Sequence, residues 1–295
     1  MATAPEVVRA ARIERTLVLT LDHPPVNVLS RTVLDALASR LAEAESDPEV
    51  RVVVIASAAE KAFAAGANIR EMAPMGPREA HEHGRRGQGI TRAIERLPLP
   101  VIAAVHGVAL GGGCEIALAC DFIVASTDAQ FGQPEINLGI MPGWGGSRRL
   151  PRRIGAARAR RWILTGRPVS AQEAADAGLV DRVVPRPELL PNALALASEL
   201  AAKPPLALAA AKFALLNAID PEIDTGLDYE LDLWARLFGT LGQKEGMDAF
   251  LSKRAPPSYS RSNWAVDSAG FPWAAGADPS NPRGKRKKGQ VSGPD

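Results

Sequence analysis

The sequence predicts an α/β core, and three observations support this fold class. Apolar runs rich in β-branched residues have the length of single buried strands, as in VRVVVIAS at residues 50–57. Segments with helical spacing of apolar residues separate these runs, which is the rhythm of a mainly parallel sheet. The chain has 295 residues and 46% hydrophobic content, which is enough to bury a sizeable core.

Strand and helix signals alternate from the N-terminal end onward. TLVLTL at residues 16–21 predicts a strand, and residues 30–47 predict a helix with Ser30 as its N-cap. VIAAV at 101–105 and FIVAS at 122–126 predict further buried strands, and a glycine run with its helix lies between them. Residues 74–89 are polar and interrupted by glycines.

From Gly146 onward the sequence becomes mostly helical, with one short strand predicted at 179–184. The predicted helices are 156–164, 170–177, 188–202, 206–218, 224–239 and 244–251. The last part of the chain, residues 256–295, contains six prolines and five glycines, with RGKRKKG at 283–289 near its end. This composition predicts a basic, mostly disordered tail.

Charge and cysteine content narrow the class of protein. The net charge is +2, of which the tail carries +3 and residues 1–255 carry −1, so the body has no excess basicity of the kind that predicts nucleic-acid binding. No apolar run is long enough to span a membrane, and we expect no membrane partner. The two cysteines, Cys114 and Cys120, suit neither a disulfide framework nor a zinc site, which predicts a reducing, cytoplasmic location.

The segment ALGGGCEIALACD at residues 109–121 combines three glycines with a glutamate at the start of a predicted helix. The start of a helix presents N–H groups without intrahelical partners, and glycines let a ligand approach them closely. The segment matches neither a Walker phosphate loop nor the G-x-G-x-x-G dinucleotide pattern. It therefore forms either a tight packed turn or part of an oxyanion hole, for which the small-residue loop in KAFAAGANIREM (61–72) supplies a second candidate N–H donor.

Two glutamates lie in apolar, glycine-rich surroundings, Glu115 after the glycine run and Glu135 in FGQPEINLG. A carboxylate in such surroundings is costly unless it is paired or used. Two carboxylates on one pocket can hold a water molecule, and their repulsion favours protonation of one of them. This pairing suits the addition of water to an activated double bond.

Several segments in the right order resemble the crotonase (enoyl-CoA hydratase/isomerase) superfamily. They are AFAAGANIREM, VIAAVHGVALGGGCEIALACDFIVAS, FGQPEINLGIMPGWGGSRRL and QKEGMDAFLSKR. The resemblance covers roughly residues 10–255 and implies a β-β-α spiral core at 1–200. A helical region at 201–255 would drive formation of a homotrimer or a dimer of trimers, and the tail at 256–295 goes beyond the usual domain.

The resemblance also implies a reaction and the residues that perform it. The N–H groups of Ala67 and Gly112 would bind the thioester oxygen of an acyl-CoA. Glu115 would activate the attacking water, and Glu135 would deliver a proton to C2, with no metal and no cofactor beyond the coenzyme A of the substrate. Further substrate or coenzyme A contacts are implied for Lys61, Ala65, Asn68, Ile69, Gly143, Trp144, Phe250 and Lys253.

The sequence leaves alternatives open for the function and for several single residues. Another crotonase reaction, such as isomerisation, hydrolysis or decarboxylation, is the alternative within the enzyme class, and RNA binding through the tail is the alternative outside it. Asn68 stands where the family often has aspartate, and Trp144 either limits acyl length or packs in the core. His81 and His83 form H-x-H without a third metal ligand, so we expect a solvated helix there, and we expect His106 to pack after its strand.

Overall fold

The computed structural model describes residues 6–217 and 240–255. Ten strands are described: β1 Val8–Ile13, β2 Thr16–Leu21, β3 Val52–Ser57, β4 Ala62–Ala64, β5 Val101–Val105, β6 Val108–Leu110, β7 Phe122–Ser126, β8 Gln130–Gly132, β9 Val169–Ser170 and β10 Arg182–Val184. They form one sheet of order β1-β2-β3-β5-β7-β10 and a smaller sheet of order β4-β6-β8-β9.

The helices alternate with the strands in the first half of the chain and follow one another in the second. They are α1 Arg31–Ser46, α2 Ile69–Met72, α3 Pro77–Arg96, α4 Gly112–Ala119, α5 Gly146–Ile154, α6 Ala156–Thr165, α7 Ala171–Asp176, α8 Leu189–Ala201, α9 Pro205–Asn217 and α10 Leu241–Leu251. Two 3₁₀ helices cover Pro134–Leu138 and Arg186–Glu188. Of the predicted helices, 224–239 lies outside the described residues, as does the predicted tail.

The chain winds as a spiral in which each turn adds one strand to each sheet before a helix follows. β3 and β4, then β5 and β6, then β7 and β8 are the successive pairs, and within each sheet these strands run parallel. Only the outer pairings, β1 with β2 and β8 with β9, are antiparallel among the described strands. The predicted α/β spiral with C-terminal helices is therefore confirmed.

Both faces of the larger sheet are covered, which explains its continuous apolar strands. One face packs into the main core, where alternate residues such as Val53 and Ile55 are fully buried. The other face, with Val52 and Val54, packs against α8 through the small residue Ala193 and its helical neighbours. Because β3, β5 and β7 are parallel, their carboxyl ends and the loops that follow them lie at the same edge of the sheet.

Two predictions about local structure can be compared directly with the fold. Ser30 caps α1 as predicted, with its Oγ accepting the N–H of Val33 at 3.4 Å. Most of the polar region at 74–89 belongs to the 20-residue helix α3, so the helix expected around His81 and His83 is present. Its glycines are tolerated because only one face of α3 is buried, with residues such as Ile90 and Ile94 in the core.

A half-buried ion pair attaches the C-terminal helices to the α/β body. Lys212 of α9 donates to Asp121 Oδ2 at 2.7 Å and to the carbonyls of Ile94 and Leu99 at 3.1 and 2.9 Å. The same Asp121 oxygen accepts the N–H of Val101 at 2.7 Å. All three ammonium protons of Lys212 thus have acceptors inside the body of the protein.

No single helix among residues 6–217 and 240–255 is long and apolar enough to cross a membrane. The bent pair of helices at 186–201 and 205–216 passes that test only when its two members are taken together, on length and composition alone.

Candidate active site

The N-terminus of α4 lies inside the protein and carries no side-chain cap. All eight of its residues are buried. Gly111, which precedes it, has a φ of 52°, a left-handed conformation that favours glycine. A Cβ atom on Gly113 would collide with the carbonyl oxygen of Ala64, so α4 packs directly against the backbone after β4. The first N–H groups of α4 and its dipole therefore face a region enclosed by other loops.

The loop after β4 lies against this helix start. Gly66 has a φ of 96°, and a Cβ there would be 3.0 Å from the carbonyl oxygen of Leu110 and 3.8 Å from the nitrogen of Gly112. The Gly66 carbonyl accepts the N–H of Leu29 at 2.9 Å, which holds the loop in place. Across the described ranges, neither the Ala67 N–H nor the Gly112 N–H donates a hydrogen bond to another residue. Both N–H groups thus lack a hydrogen-bond acceptor within the described residues.

Glu115 lies in the first turn of α4 and is 2% exposed. Its Oε1 accepts two backbone N–H groups, from Trp144 at 2.8 Å and from Gly146 at 2.7 Å. Burial raises the pKa of Glu115, while the N–H groups of Gly146 and Trp144 and the charge of Arg149 oppose that shift. These hydrogen bonds offset part of the desolvation cost and fix the carboxylate in one orientation.

Glu135 lies in the 3₁₀ helix that follows β8, and it is buried as well. A Cβ on Gly111 would be 3.3 Å from its Oε1, so the carboxylate lies over the turn that starts α4. Burial raises the pKa of Glu135 to about 7; its own backbone N–H opposes the shift, and the charge of Glu115 adds to it. The two glutamates therefore interact electrostatically, and a pKa of about 7 lets Glu135 carry a proton near neutral pH.

Gln133 supports Glu135 and was missed by the sequence analysis. It is fully buried, and with its amide nitrogen turned toward the carboxylate it donates to Glu135 Oε1 at 2.9 Å and Oε2 at 3.2 Å. The hydrogen-bonding partners around the amide require that orientation. A Cβ on Gly146 would lie 2.8 Å from the same side chain. The signal in the sequence was a polar residue inside a buried stretch, two positions before the glutamate.

Arg149 supports the backbone that holds Glu115. Its guanidinium donates to both oxygens of Glu95, at 2.6 and 2.5 Å, and to the carbonyl oxygen of Trp144 at 2.8 Å. A bidentate pair of this kind fixes both side chains. Arg149 and Glu95 thus tie α5 to α3 and fix the segment whose N–H groups bind the Glu115 carboxylate.

The indole of Trp144 is enclosed between two helices. Only 4% of the residue is exposed. A Cβ on Gly87 of α3 or on Gly112 of α4 would overlap the indole, so both positions require glycine beside this tryptophan. The indole also packs against the imidazole of His83, which lies one turn before Gly87 on α3, with ring centroids 5.6 Å apart and an angle of 48° between the planes. The prediction of a solvated helix is therefore wrong for His83, which is half-buried against Trp144.

The sequence profile of the enoyl-CoA hydratase/isomerase family matches residues 13–261. The chain belongs to this family. The Crotonyl-CoA hydratase of Syntrophomonas wolfei is 41% identical over 242 residues, which are 82% of this chain and 93% of that relative. The 2,3-dehydroadipyl-CoA hydratase of Escherichia coli is 44% identical over 247 residues, which are 83% of this chain and 96% of that relative.

Solved structures of the enoyl-CoA hydratase/isomerase family share the fold. An enoyl-CoA hydratase from Bacillus anthracis superposes with a TM-score of 0.82 at 38% identity, covering 86% of this chain and 98% of that one. An enoyl-CoA hydratase from Mycobacterium smegmatis superposes with a TM-score of 0.80 at 36% identity, covering 85% of this chain and 98% of that one. The predicted crotonase family is therefore confirmed.

The position that differs from the usual family residue, Asn68, has a local structural role. Its Oδ1 caps α2 by accepting the N–H groups of Arg70 at 3.1 Å and Glu71 at 3.4 Å, and its Nδ2 donates to the Glu71 carboxylate at 2.9 Å. Asparagine and aspartate are both good N-caps, so either residue satisfies the start of this helix. The amide adds a donor that an aspartate would lack.

The other residues predicted to contact the substrate differ in how exposed they are. Ala65 is half-buried, and its N–H donates to the carbonyl of Val26 at 3.0 Å, so its backbone nitrogen is already bonded. Ile69 begins α2 and is 55% exposed, and Gly143 is exposed and accepts a hydrogen bond from Gln88 at 3.0 Å. Both flank the region between α2, α3 and the loop before α5.

The predicted coenzyme A contacts are less closely grouped. Lys61 is exposed in the turn between β3 and β4. Lys253 is exposed just after α10, and Phe250 lies within α10. No contact among the described residues joins Lys253 to the Glu115 region, so its part in binding stays a prediction.

Two further expectations concern metals and cysteines. Within the described ranges, no three His, Cys, Asp or Glu side chains form a group that could hold a metal ion. Cys114 and Cys120 are both free and buried, and burial raises the pKa of each thiol to about 12.

His106 packs after β5 as predicted, and its Nε2 lies 2.8 Å from the carbonyl oxygen of Ala59.

Proposed function

We propose that this protein is an enoyl-CoA hydratase, which adds water syn across the double bond of a trans-2-enoyl-CoA to form a 3-hydroxyacyl-CoA. The observation that carries the proposal is the pair of buried glutamates at the start of α4, one held by backbone N–H groups and one with a pKa of about 7. The names of the relatives in Syntrophomonas wolfei and Escherichia coli, both hydratases, support the same reaction.

The thioester oxygen accepts hydrogen bonds from the N–H groups of Ala67 and Gly112. Negative charge builds on this oxygen when a nucleophile attacks C3, and preorganised donors stabilise that charge without reorganisation. The absence of other acceptors for these two N–H groups in the described chain supports the assignment. Loss of one such donor typically lowers the rate by about 100- to 1000-fold.

The two glutamates divide the proton transfers. Glu115, as a carboxylate, accepts a proton from a bound water molecule, whose oxygen forms the new bond to C3. Glu135, as a carboxylic acid, donates its proton to C2, and the enolate electrons form the new C–H bond. Exchange with solvent then returns a proton to Glu135 and removes one from Glu115. Syn addition requires that both carboxyl groups face the same side of the substrate double bond.

The remaining predicted residues hold the substrate. Lys61, with Phe250 and Lys253 of a neighbouring subunit, contacts the nucleotide end of coenzyme A, while Ala65 and Asn68 lie beside the thioester. The acyl group extends from Gly112 toward Ile69, Gly143 and Trp144. The reaction uses no metal and no separate cofactor, and the location in the cytoplasm stays a prediction.

A substrate panel tests the reaction class. The full-length protein is assayed with crotonyl-CoA, a 3-enoyl-CoA and a malonyl-type thioester, and each product is identified by mass spectrometry. Hydration of crotonyl-CoA as the fastest reaction supports the proposal, and faster isomerisation, hydrolysis or decarboxylation replaces it. Isomerases of this family manage with one acidic residue, so the intact pair favours hydration.

The predicted assembly is a homotrimer or a dimer of trimers. An apolar cluster next to Glu135 supports it, because four large side chains are exposed in the isolated chain: Ile136, Leu138, Ile140 and Met141. An exposed group of this size is typical of an interface. Sedimentation velocity tests this point, with Leu138→Glu expected to shift the protein toward monomer and the exposed Leu164→Glu, on α6, as the matched control.

A further inference from the structure

The hydroxyl of Thr91 is a polar group on the buried face of α3. Thr91 is fully buried, together with Ile90 and Ile94 of the same helix. A valine has nearly the same shape, and burying a hydroxyl is costly unless it is hydrogen-bonded. The proposed hydration chemistry gives this hydroxyl no role.

The Thr91 hydroxyl is hydrogen-bonded to the loop that precedes α5. Its Oγ1 lies 2.9 Å from the carbonyl oxygen of Trp144 and 3.2 Å from that of Gln88 in its own helix. The shorter contact leads out of α3, so the single hydroxyl proton is best placed for Trp144. Arg149 Nη1 donates to the same carbonyl at 2.8 Å, so both lone pairs of the Trp144 oxygen have donors.

The Trp144 carbonyl belongs to the peptide unit that it shares with the nitrogen of Gly145. In a planar trans peptide the C=O and N–H groups point in opposite directions. The carbonyl points to α3, while the Gly145 N–H acts to lower the pKa of Glu115. A hydrogen bond on the carbonyl polarises the peptide and strengthens the bond that the N–H donates. Thr91 is thus one peptide unit away from the Glu115 carboxylate.

The preceding peptide unit has the same arrangement. Gln88, one turn before Thr91 on α3, donates from Nε2 to the carbonyl oxygen of Gly143 at 3.0 Å. The N–H of that unit belongs to Trp144 and donates to Glu115 Oε1 at 2.8 Å. Two side chains of α3 therefore hold the carbonyl ends of two successive peptides whose N–H ends face the same carboxylate.

We propose that Thr91 is a positioning residue of the hydration reaction, which acts through the Trp144–Gly145 peptide to keep Glu115 as the ionised base. This inference rests on the proposed function, in which Glu115 accepts the proton of water. The backbone N–H groups oppose the burial that raises the pKa of Glu115, and the Thr91 hydroxyl holds them in place. Without that hydroxyl, the pKa of Glu115 is expected to rise.

Other ionisable groups face Glu115 from four elements. Arg149 of α5 favours the charged form of Glu115 and is itself paired with Glu95 of α3. Glu135 of the 3₁₀ helix interacts with Glu115 as a like charge, and burial raises the pKa of the Cys114 thiol of α4 to about 12, so that it stays neutral. Because the reaction needs an ionised Glu115 and a protonated Glu135, the rate is expected to fall at both ends of the pH range, with the acid limb set by Glu115.

The test compares Thr91→Val with wild type in crotonyl-CoA hydration across the pH range. On the acid side, kcat/KM is expected to fall about 3- to 10-fold, as for one lost hydrogen bond, because the acid limb moves to higher pH. The alkaline limb, set by Glu135, is expected to stay in place. Thr91→Ser restores the hydroxyl and is expected to restore the profile, whereas a loss of folded protein would scale the whole profile and move neither limb.

Thr165→Val is the matched control, because it removes a hydroxyl that donates to the Arg161 carbonyl within the exposed helix α6, and it is expected to leave the profile unchanged. Thr91→Ala also lacks the hydroxyl, is expected to give the same shift, and replaces Thr91→Val should that variant not fold. An acid limb at the same pH as in wild type overturns the proposal.

A measurement without turnover separates this proposal from the proposed reaction. Infrared difference spectra between each protein and its Glu115→Gln counterpart isolate the C=O stretch of the protonated Glu115 carboxyl. Its midpoint on the pH scale is expected to be higher in Thr91→Val than in wild type, and equal midpoints overturn the proposal. A shifted midpoint in a protein that does not hydrate crotonyl-CoA supports the role of Thr91 at Glu115 and overturns only the proposed reaction.

Discussion

Glu115 Oε1 lies 2.7 Å from the backbone nitrogen of Gly146, so the first turn of α4 is hydrogen-bonded to the first residue of α5. With the Trp144 N–H on the same oxygen, the carboxylate keeps one fixed orientation without any charged partner in direct contact. An acceptor held by neutral donors retains more basicity than one paired with an arginine. This arrangement suits a general base, and it leads to the first prediction.

Glu115→Gln is expected to fold normally and to lose hydration activity by about 10²- to 10⁴-fold, the usual contribution of a general base. The glutamine oxygen can still accept both N–H groups, so the local structure is retained. Crotonyl-CoA hydration and circular dichroism measure the two effects. Glu173→Gln, at an exposed ion pair with Arg167, is the matched control. Near wild-type activity in Glu115→Gln contradicts the acid–base assignment.

Glu135→Gln is expected to stabilise the protein above neutral pH. The unfolded chain ionises Glu135 near its ordinary value of 4.5, whereas the folded state keeps the proton up to about pH 7. The folded state therefore binds more protons in this window, and wild-type stability falls as pH rises through it.

Glutamine does not titrate, so the stability of Glu135→Gln relative to wild type should increase by roughly 1–3 kcal/mol between pH 5 and pH 8.5. Urea unfolding of both proteins at the two pH values gives this difference, in which the contributions of titrating groups that do not interact with Glu135 cancel. A difference that does not change with pH shows that the folded-state pKa of Glu135 is ordinary.

Two glycines of α3 are expected to respond to alanine with opposite signs. Gly84 has open space where a Cβ would lie, with no other atom within 4 Å, so Gly84→Ala should stabilise by about 0.5–1 kcal/mol through helix propensity. Gly87→Ala meets the indole of Trp144 and should destabilise by about 1–3 kcal/mol through overpacking.

A double-mutant cycle identifies the cause of the Gly87 effect. In a Trp144→Ala background, Gly87→Ala should cost clearly less than it does in wild type, because the colliding ring is gone. Chemical denaturation of the four proteins measures the coupling. Equal costs in both backgrounds exclude the indole as the cause.

Lys212→Met is expected to destabilise the protein by about 1–3 kcal/mol, because it removes the ammonium group that pairs with the half-buried Asp121 carboxylate. Two carbonyl oxygens, of Ile94 and Leu99, lose a donor as well. Urea unfolding measures the loss, and the double variant Asp121→Asn/Lys212→Met should recover part of it, since no unpaired charge remains. If the double variant is no more stable than Lys212→Met, the unpaired charge is not the source of the cost.

Much of the fold was predictable because its signals are local. The buried strands β3, β5 and β7 are continuous apolar runs, and Ser30 is a cap at its ordinary position. The strands β4, β6 and β8 have only three residues each, which is too short for a periodic pattern to show. The bounds of helix α3 were not predicted, because its glycines and polar face hide a helical period that packing, rather than propensity, stabilises.

The candidate site was predictable only in part. Glu115, Glu135 and the glycine turn are visible in the sequence as polar or flexible residues in apolar surroundings. The hydrogen bonds that fix Glu115 come from 29 and 31 positions along the chain, and no local pattern reports them. His83 was misjudged for the same reason, because its partner Trp144 follows 61 residues later and lies beside it only after folding.

The side chains at positions 87, 112 and 144 share one space, so the size allowed at each position depends on the residues at the other two. A descendant of this chain that first exchanges the tryptophan for a small residue can then acquire methyl groups at 87 or 112 freely. The reverse order passes through an overfilled intermediate that selection would remove. The history of substitutions at these three positions is therefore directional, and the tryptophan must change first.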